Sequence, residues 1–136
     1  MTLKFRIYDK HYGMSEPFSL FWDEIEFTNP KDGGTPVIIY PKELAASEIN
    51  SNSKKMQSTG LKDINGKEIF EGDIWKGEQG KWIAKIVWNE DCARFEYEII
   101  RQKDKNTSYD IRMGRPERYE VIGNIYENPE LLKEAA

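Results

Sequence analysis

With one cysteine, Cys92, the chain cannot close an intramolecular disulfide, and with one histidine, His11, a zinc site would have to draw on carboxylates. The single cysteine fits a reducing compartment. The opening Met1-Thr2-Leu3-Lys4-Phe5-Arg6 lacks the apolar core of a secretory signal, and no run approaches the roughly 20 apolar residues of a membrane span. A soluble, unexported cytoplasmic protein is expected. Hydrophobic residues make up only 38% of the 136 positions, while aromatics reach 12%, so the core must lean on a few large rings. A surplus of positive charge is missing too: the net charge of -4 excludes a surface that is a nucleic-acid footprint throughout. A local basic patch is not excluded.

What is present is short period-2 patterning punctuated by turns. Leu3, Phe5 and Ile7 alternate with Lys4, Arg6 and Tyr8, which predicts a strand with one apolar face, followed by a turn over 9–13. The second half of Phe18–Phe27 and the run Val37–Tyr40 read as strands on either side of the breaker cluster Asn29–Gly34. A brief helix is expected over Lys42–Ile49, then an exposed mobile connection over Asn50–Lys55. The stretch Met56–Trp75 carries the clearest local signal. Asn65-Gly66 predicts a two-residue type I′ hairpin between arms 61–64 and 67–70, and Glu71-Gly72-Asp73 a second turn.

Beyond a turn over Gly77–Gly80, Trp82, Ala84, Ile86 and Trp88 alternate with Lys81, Ile83, Lys85 and Val87, a strand apolar enough on both faces to be central. Across Asn89-Glu90-Asp91 it should pair with the strand of Phe95, Tyr97 and Ile99. Tyr109–Met113 reads as an edge strand, and Tyr119–Tyr126 as a strand in which Gly123 marks a bulge or a close backbone contact. Asn128-Pro129 is the entry of a short helix, with Asn128 as N-cap and Leu131 or Leu132 docking on the sheet. About eight short strands without strand-helix alternation predict a mainly β, β-rich α+β fold. The expected architecture is a small, strongly bent antiparallel SH3-like barrel with N-terminal strands packed on it and a short C-terminal helix. The expected division is 1–55, a β segment with helix and linker, and 56–136, the barrel with its helix, together forming one compact unit.

Three segments resemble one family. Thr59-Gly60-Leu61-Lys62-Asp63-Ile64-Asn65-Gly66-Lys67-Glu68-Ile69-Phe70-Glu71-Gly72-Asp73-Ile74, the opening Phe5-Arg6-Ile7-Tyr8-Asp9-Lys10, and Tyr119-Glu120-Val121-Ile122-Gly123-Asn124-Ile125-Tyr126-Glu127-Asn128-Pro129-Glu130-Leu131-Leu132 are similar to the YopX family of bacteriophage and prophage proteins. The resemblance implies a phage-derived protein made in a bacterial cytoplasm, with a tendency to self-associate. It implies no catalytic residue and no cofactor.

The residues themselves name no reaction. His11 has no serine or cysteine placed to complete a proton relay, and reads as an exposed turn residue. Cys92 lies beside Glu90 and Asp91, whose charges disfavour a reactive thiolate, and reads as a small structural residue. Asp63, Glu68, Glu71 and Asp73 gather at two turns but match neither a calcium loop nor a zinc spacing; they read as turn-forming acids. Trp22, Trp75, Trp82 and Trp88 read as core. The basic segment 101–118 is the sharper candidate. Arg101, Lys103, Lys105, Arg112, Arg115 and Arg118 face only Asp104, Asp110 and Glu117, so the segment is +3 in a chain of -4 and the remainder stands at -7.

Two functions stay open. The leading expectation is a non-enzymatic phage accessory protein, an interaction module acting as a homo-oligomer. The alternative is a nucleic-acid-binding small barrel in which those six cations hold phosphates and Tyr109 and Tyr119 stack on bases. No metal, cofactor or membrane partner is expected.

Overall fold

The computed structural model describes residues 4–19, 25–28, 33–39, 53–77, 82–101 and 104–133. The chain divides into two compact units, Met1–Ser58 and Thr59–Ala136. The expected helix over 42–49, the Gly77–Gly80 turn beyond Gly77, and Lys103 lie outside the described residues. Twelve strands are found among the described residues, more than the pattern predicts, because paired segments as short as two residues count among them.

In the first unit the central strand is β1 (Lys4–Asp9). It pairs antiparallel with β2 (Gly13–Met14), β3 (Phe18–Ser19) and the first half of β6 (Ser53–Lys62). β1 departs from the expected one-faced pattern. Arg6 and Tyr8 are buried along with Phe5 and Ile7. The turn after β1 is closed by Asp9, whose Oδ1 accepts the N–H groups of His11 at 2.8 Å and Tyr12 at 3.0 Å. β4 (Ile25–Phe27) and β5 (Val37–Ile39) are strands, as the apolar runs predict, and they pair antiparallel with each other. Phe5, Ile7, Phe18, Ile25 and Phe27 form the core, with Tyr12 and Val37 against it. The connection expected over 50–55 is different in its second half. Ser53, Lys54 and Lys55 open β6, because pairing to Asp9, Tyr8 and Ile7 of β1 overrides their polar composition.

In the second unit, the end of β6 pairs with β7 (Glu68–Phe70). Five further strands form a curled antiparallel half-barrel sheet in the order β11-β10-β9-β8-β12. These are β8 (Asp73–Lys76), β9 (Ile83–Asn89), β10 (Arg94–Ile99), β11 (Thr107–Asp110) and β12 (Glu120–Asn124). The β-rich class and the central position of β9 are as the alternation predicts, and Trp88, Ile86 and Ala84 stand opposite Phe95, Tyr97 and Ile99. That face meets Ile69, Trp75, Ile111 and Val121 in the core. The opposite face carries charge, with Lys85 Nζ 3.4 Å from Glu98 Oε2 across β9 and β10 and Arg94 Nε 2.8 Å from Glu96 Oε2 along β10.

Gly123 marks the expected bulge, and the close approach to it is made by a side chain and not by another backbone segment. The β12–β8 register shifts between Val121 and Gly123, and a Cβ on Gly123 would lie 2.5 Å from Asn128 Oδ1. Asn128 itself is used differently from the expected N-cap. Its Oδ1 accepts the N–H of Asn124 at 3.2 Å, turning the side chain back to the strand, while the helical turn Glu130–Lys133 leaves Leu131 and Leu132 half-buried.

Candidate functional site

The hairpin in the opening of the second unit is organised by Asp63 rather than by Asn65. Gly66 N–H donates to Asp63 O at 3.0 Å and Asp63 N–H to Lys67 O at 2.9 Å, so Ile64, Asn65 and Gly66 form a three-residue loop. Only Gly66, at φ 78°, has positive φ there, which corrects the expected type I′ turn. The cause is the Asp63 side chain, which competes for the local donors: Oδ1 accepts from Asn65 N–H and Lys67 N–H, each at 2.9 Å. Its other oxygen, Oδ2, accepts from the N–H of Val121, 58 residues on, at 2.9 Å. Ile64 N–H donates to Tyr119 O at 2.9 Å beside it. The hairpin tip therefore closes the outer edge of β12.

This assigns structural work to the acidic residues of the stretch. Asp63 is 4% exposed, and the buried Asp73 accepts the N–H of Phe70 through Oδ2 at 2.8 Å across the second turn. Among the described residues, no group of three or more His, Cys, Asp and Glu side chains is arranged to hold a metal ion. His11 is an exposed turn residue, its ring 4.7 Å from that of Tyr12. Cys92, expected as a structural residue, is instead exposed in the β9–β10 connection, where its N–H donates to Asn89 Oδ1 at 3.2 Å. A short polar turn has no interior in which to bury it.

The other edge of the sheet differs. β11 is an edge strand, as expected, but it runs over 107–110 instead of 109–113. Asp110 ends it, because Oδ1 accepts the N–H of Arg112 at 3.0 Å and starts a 3₁₀ turn over Ile111–Gly114. Among the described residues β11 pairs only with β10, so its outer N–H and C=O groups have no strand opposite them. Tyr109, directly across from Tyr97, is 43% exposed, and Met113 in the following turn is 77% exposed.

The cations singled out in the sequence bracket this strand. Arg101 and Lys105 precede it, and Arg112, Arg115 and Arg118 follow it; all five are exposed and none is in an ion pair among the described residues. Arg115 joins the first 3₁₀ turn to a second, Pro116–Arg118, at φ 53°. Positive φ is uncommon for a side chain larger than glycine and holds the two turns at a fixed bend. Beneath lies a cluster of rings centred on Trp75, which is fully buried. Tyr97 and Tyr119 lie 5.2 and 5.1 Å from it, Trp82 stacks on Tyr97 at 6.2 Å, and Tyr109 lies 5.5 Å from Tyr97. Burial first, then Tyr119 and Tyr109, pushes the Tyr97 phenol above the ordinary tyrosine range. The indoles follow expectation in part: Trp75 is core, Trp82 is half-buried, Trp88 is exposed, and Trp22 lies outside the described residues.

Comparison with known proteins agrees with the three-part sequence resemblance. The family described as "YopX protein" matches residues 4–133. The chain belongs to the YopX family. The chain is similar to a solved structure titled "Crystal structure of protein EF1440 from Enterococcus faecalis". The two are 30% identical, the match covers 97% of this chain and 99% of that one, and the TM-score is 0.56. No curated protein matches the chain. No helix among the described residues is long and apolar enough to cross a membrane.

Proposed function

We propose that this YopX-family chain is a phage- or prophage-encoded accessory protein of the bacterial cytoplasm, a non-enzymatic interaction module that works as a homo-oligomer. The observation that carries the reading is the unequal treatment of strand edges. β12 is closed by the Asp63 hairpin tip, whereas β5 and β11 have no second strand partner among the described residues. An open edge is a template for pairing with another chain unless it is covered or carries charge. β5 presents Ile38, 50% exposed, in a two-stranded ladder that is marginal by itself. It is the edge best suited to a second copy.

Light scattering over a wide concentration range tests this. The expected mass is a multiple of 15.9 kDa, reduced by Ile38→Lys, since an edge lysine disfavours pairing. A monomer at every concentration overturns the homo-oligomer. The nucleic-acid reading retains one favourable observation, the exposure of Arg112, Arg115 and Arg118 and of Tyr109. It requires single-strand binding that weakens steeply with salt and disappears when the three arginines are neutralised together.

A further inference from the structure

We propose that the outer edge of β11 receives an extended, carboxylate-bearing segment of a partner protein as an added strand. This rests on the interaction-module reading and names the chemistry of a partner for it. Strand addition needs an unpaired ladder edge, which supplies affinity through main-chain hydrogen bonds, and flanking side chains that select the segment. β11 has both. Its only strand partner among the described residues is β10, and Tyr109 stands exposed on it as a ring for the added strand to cover.

Charge selects among the occupants. Five exposed cations bracket the strand, Arg101 and Lys105 on one side and Arg112, Arg115 and Arg118 on the other, and they outnumber the exposed Asp104 and Glu117. Asp110, the carboxylate at the end of β11, is already engaged with Arg94 Nη1 at 3.8 Å and with the Arg112 N–H. Pairing β11 with its own copy about a two-fold axis would add a second set of these cations to the same edge. Like charges brought together oppose that contact. An acidic segment meets no such repulsion.

A single-stranded nucleic acid would answer the charge but not the rings. Successive bases need successive free faces. Here Tyr97 and Tyr119 are half-buried and packed on Trp75 and Trp82, which leaves Tyr109 as the exposed ring on β11.

The experiment uses the full chain and three fluorescent probes: a peptide of about ten residues alternating glutamate and valine, its copy N-methylated at every residue so that neither edge keeps its ladder donors, and an oligothymidylate. Anisotropy should show the acidic peptide binding at low salt, about tenfold more weakly after combined Arg112→Ala, Arg115→Ala and Arg118→Ala substitution. N-methylation keeps the charge and removes ladder donors, so the methylated peptide should also bind about tenfold more weakly or worse. No binding of the acidic peptide, equal binding of the two peptides, or tighter binding of the oligothymidylate each overturns the proposal. The methylation comparison needs no substituted protein, so misfolding of the triple variant leaves it decisive. Light scattering on the same sample separates the two readings: an oligomer that ignores the peptide refutes strand addition and keeps self-association, and a monomer that binds it does the reverse.

Discussion

Replacing Asp63 with alanine removes three hydrogen bonds that one buried carboxylate accepts from Asn65, Lys67 and Val121. The three losses are unequal. The Val121 N–H is buried, so leaving it without an acceptor costs about 1–3 kcal/mol. Asn65 and Lys67 are exposed, and water can replace the carboxylate there, at a cost of about 1 kcal/mol each. The total, about 3–5 kcal/mol, is large against the stability of an ordinary domain. Asp63→Asn should lose roughly half as much. It keeps the shape and one acceptor oxygen, but its amide N–H group would face backbone donors on one side. Urea unfolding followed by tryptophan fluorescence reads this directly, because Trp75, Trp82 and Trp88 all lie in the second unit. Thermal unfolding should shift down by about 10–20 °C for alanine. A loss below about 1 kcal/mol for Asp63→Ala would refute the reasoning, because it would mean that the tether between hairpin tip and β12 carries no net stabilisation.

Other consequences can be checked with similar means. Gly123→Ala places a Cβ against Asn128 Oδ1 and should destabilise the chain by about 1–3 kcal/mol, with Asn128→Ala relieving part of the loss in the double variant. Gly66→Ala meets no neighbour within 4 Å, so its cost should be only the φ 78° strain, about 1 kcal/mol by urea unfolding. Tyr97 has its folded-state pKa raised by burial, so the stability linked to it is full below the unfolded value of about 10 and is lost as pH rises through the folded value. Absorbance titration of phenolate should show a late component, to which Tyr126, also raised by burial, contributes, and which Tyr97→Phe diminishes.

Alternation made the β9–β10 pair legible, because Trp82 to Trp88 and Phe95 to Ile99 repeat at period 2 on either side of a polar turn. Gly123 was legible as a bulge for the reason that its missing Cβ leaves room for Asn128. The turn at Asn65-Gly66 could be located but not typed. Its geometry depends on Asp63, whose second oxygen is held by a strand 58 residues away. The beginning of β6 was hidden by composition, since Ser53, Lys54 and Lys55 are ordered by β1 and not by any preference of their own. The cations at 101–118 stood out in the sequence, yet their relation to an open edge depended on Asp110 ending β11.

The mass of the chain in solution, followed by light scattering from low to high concentration, tests the central claim most directly. The expected mass is a multiple of the 15.9-kDa chain that falls toward the monomer when Ile38 is replaced by lysine. A single mass equal to one chain throughout would contradict it.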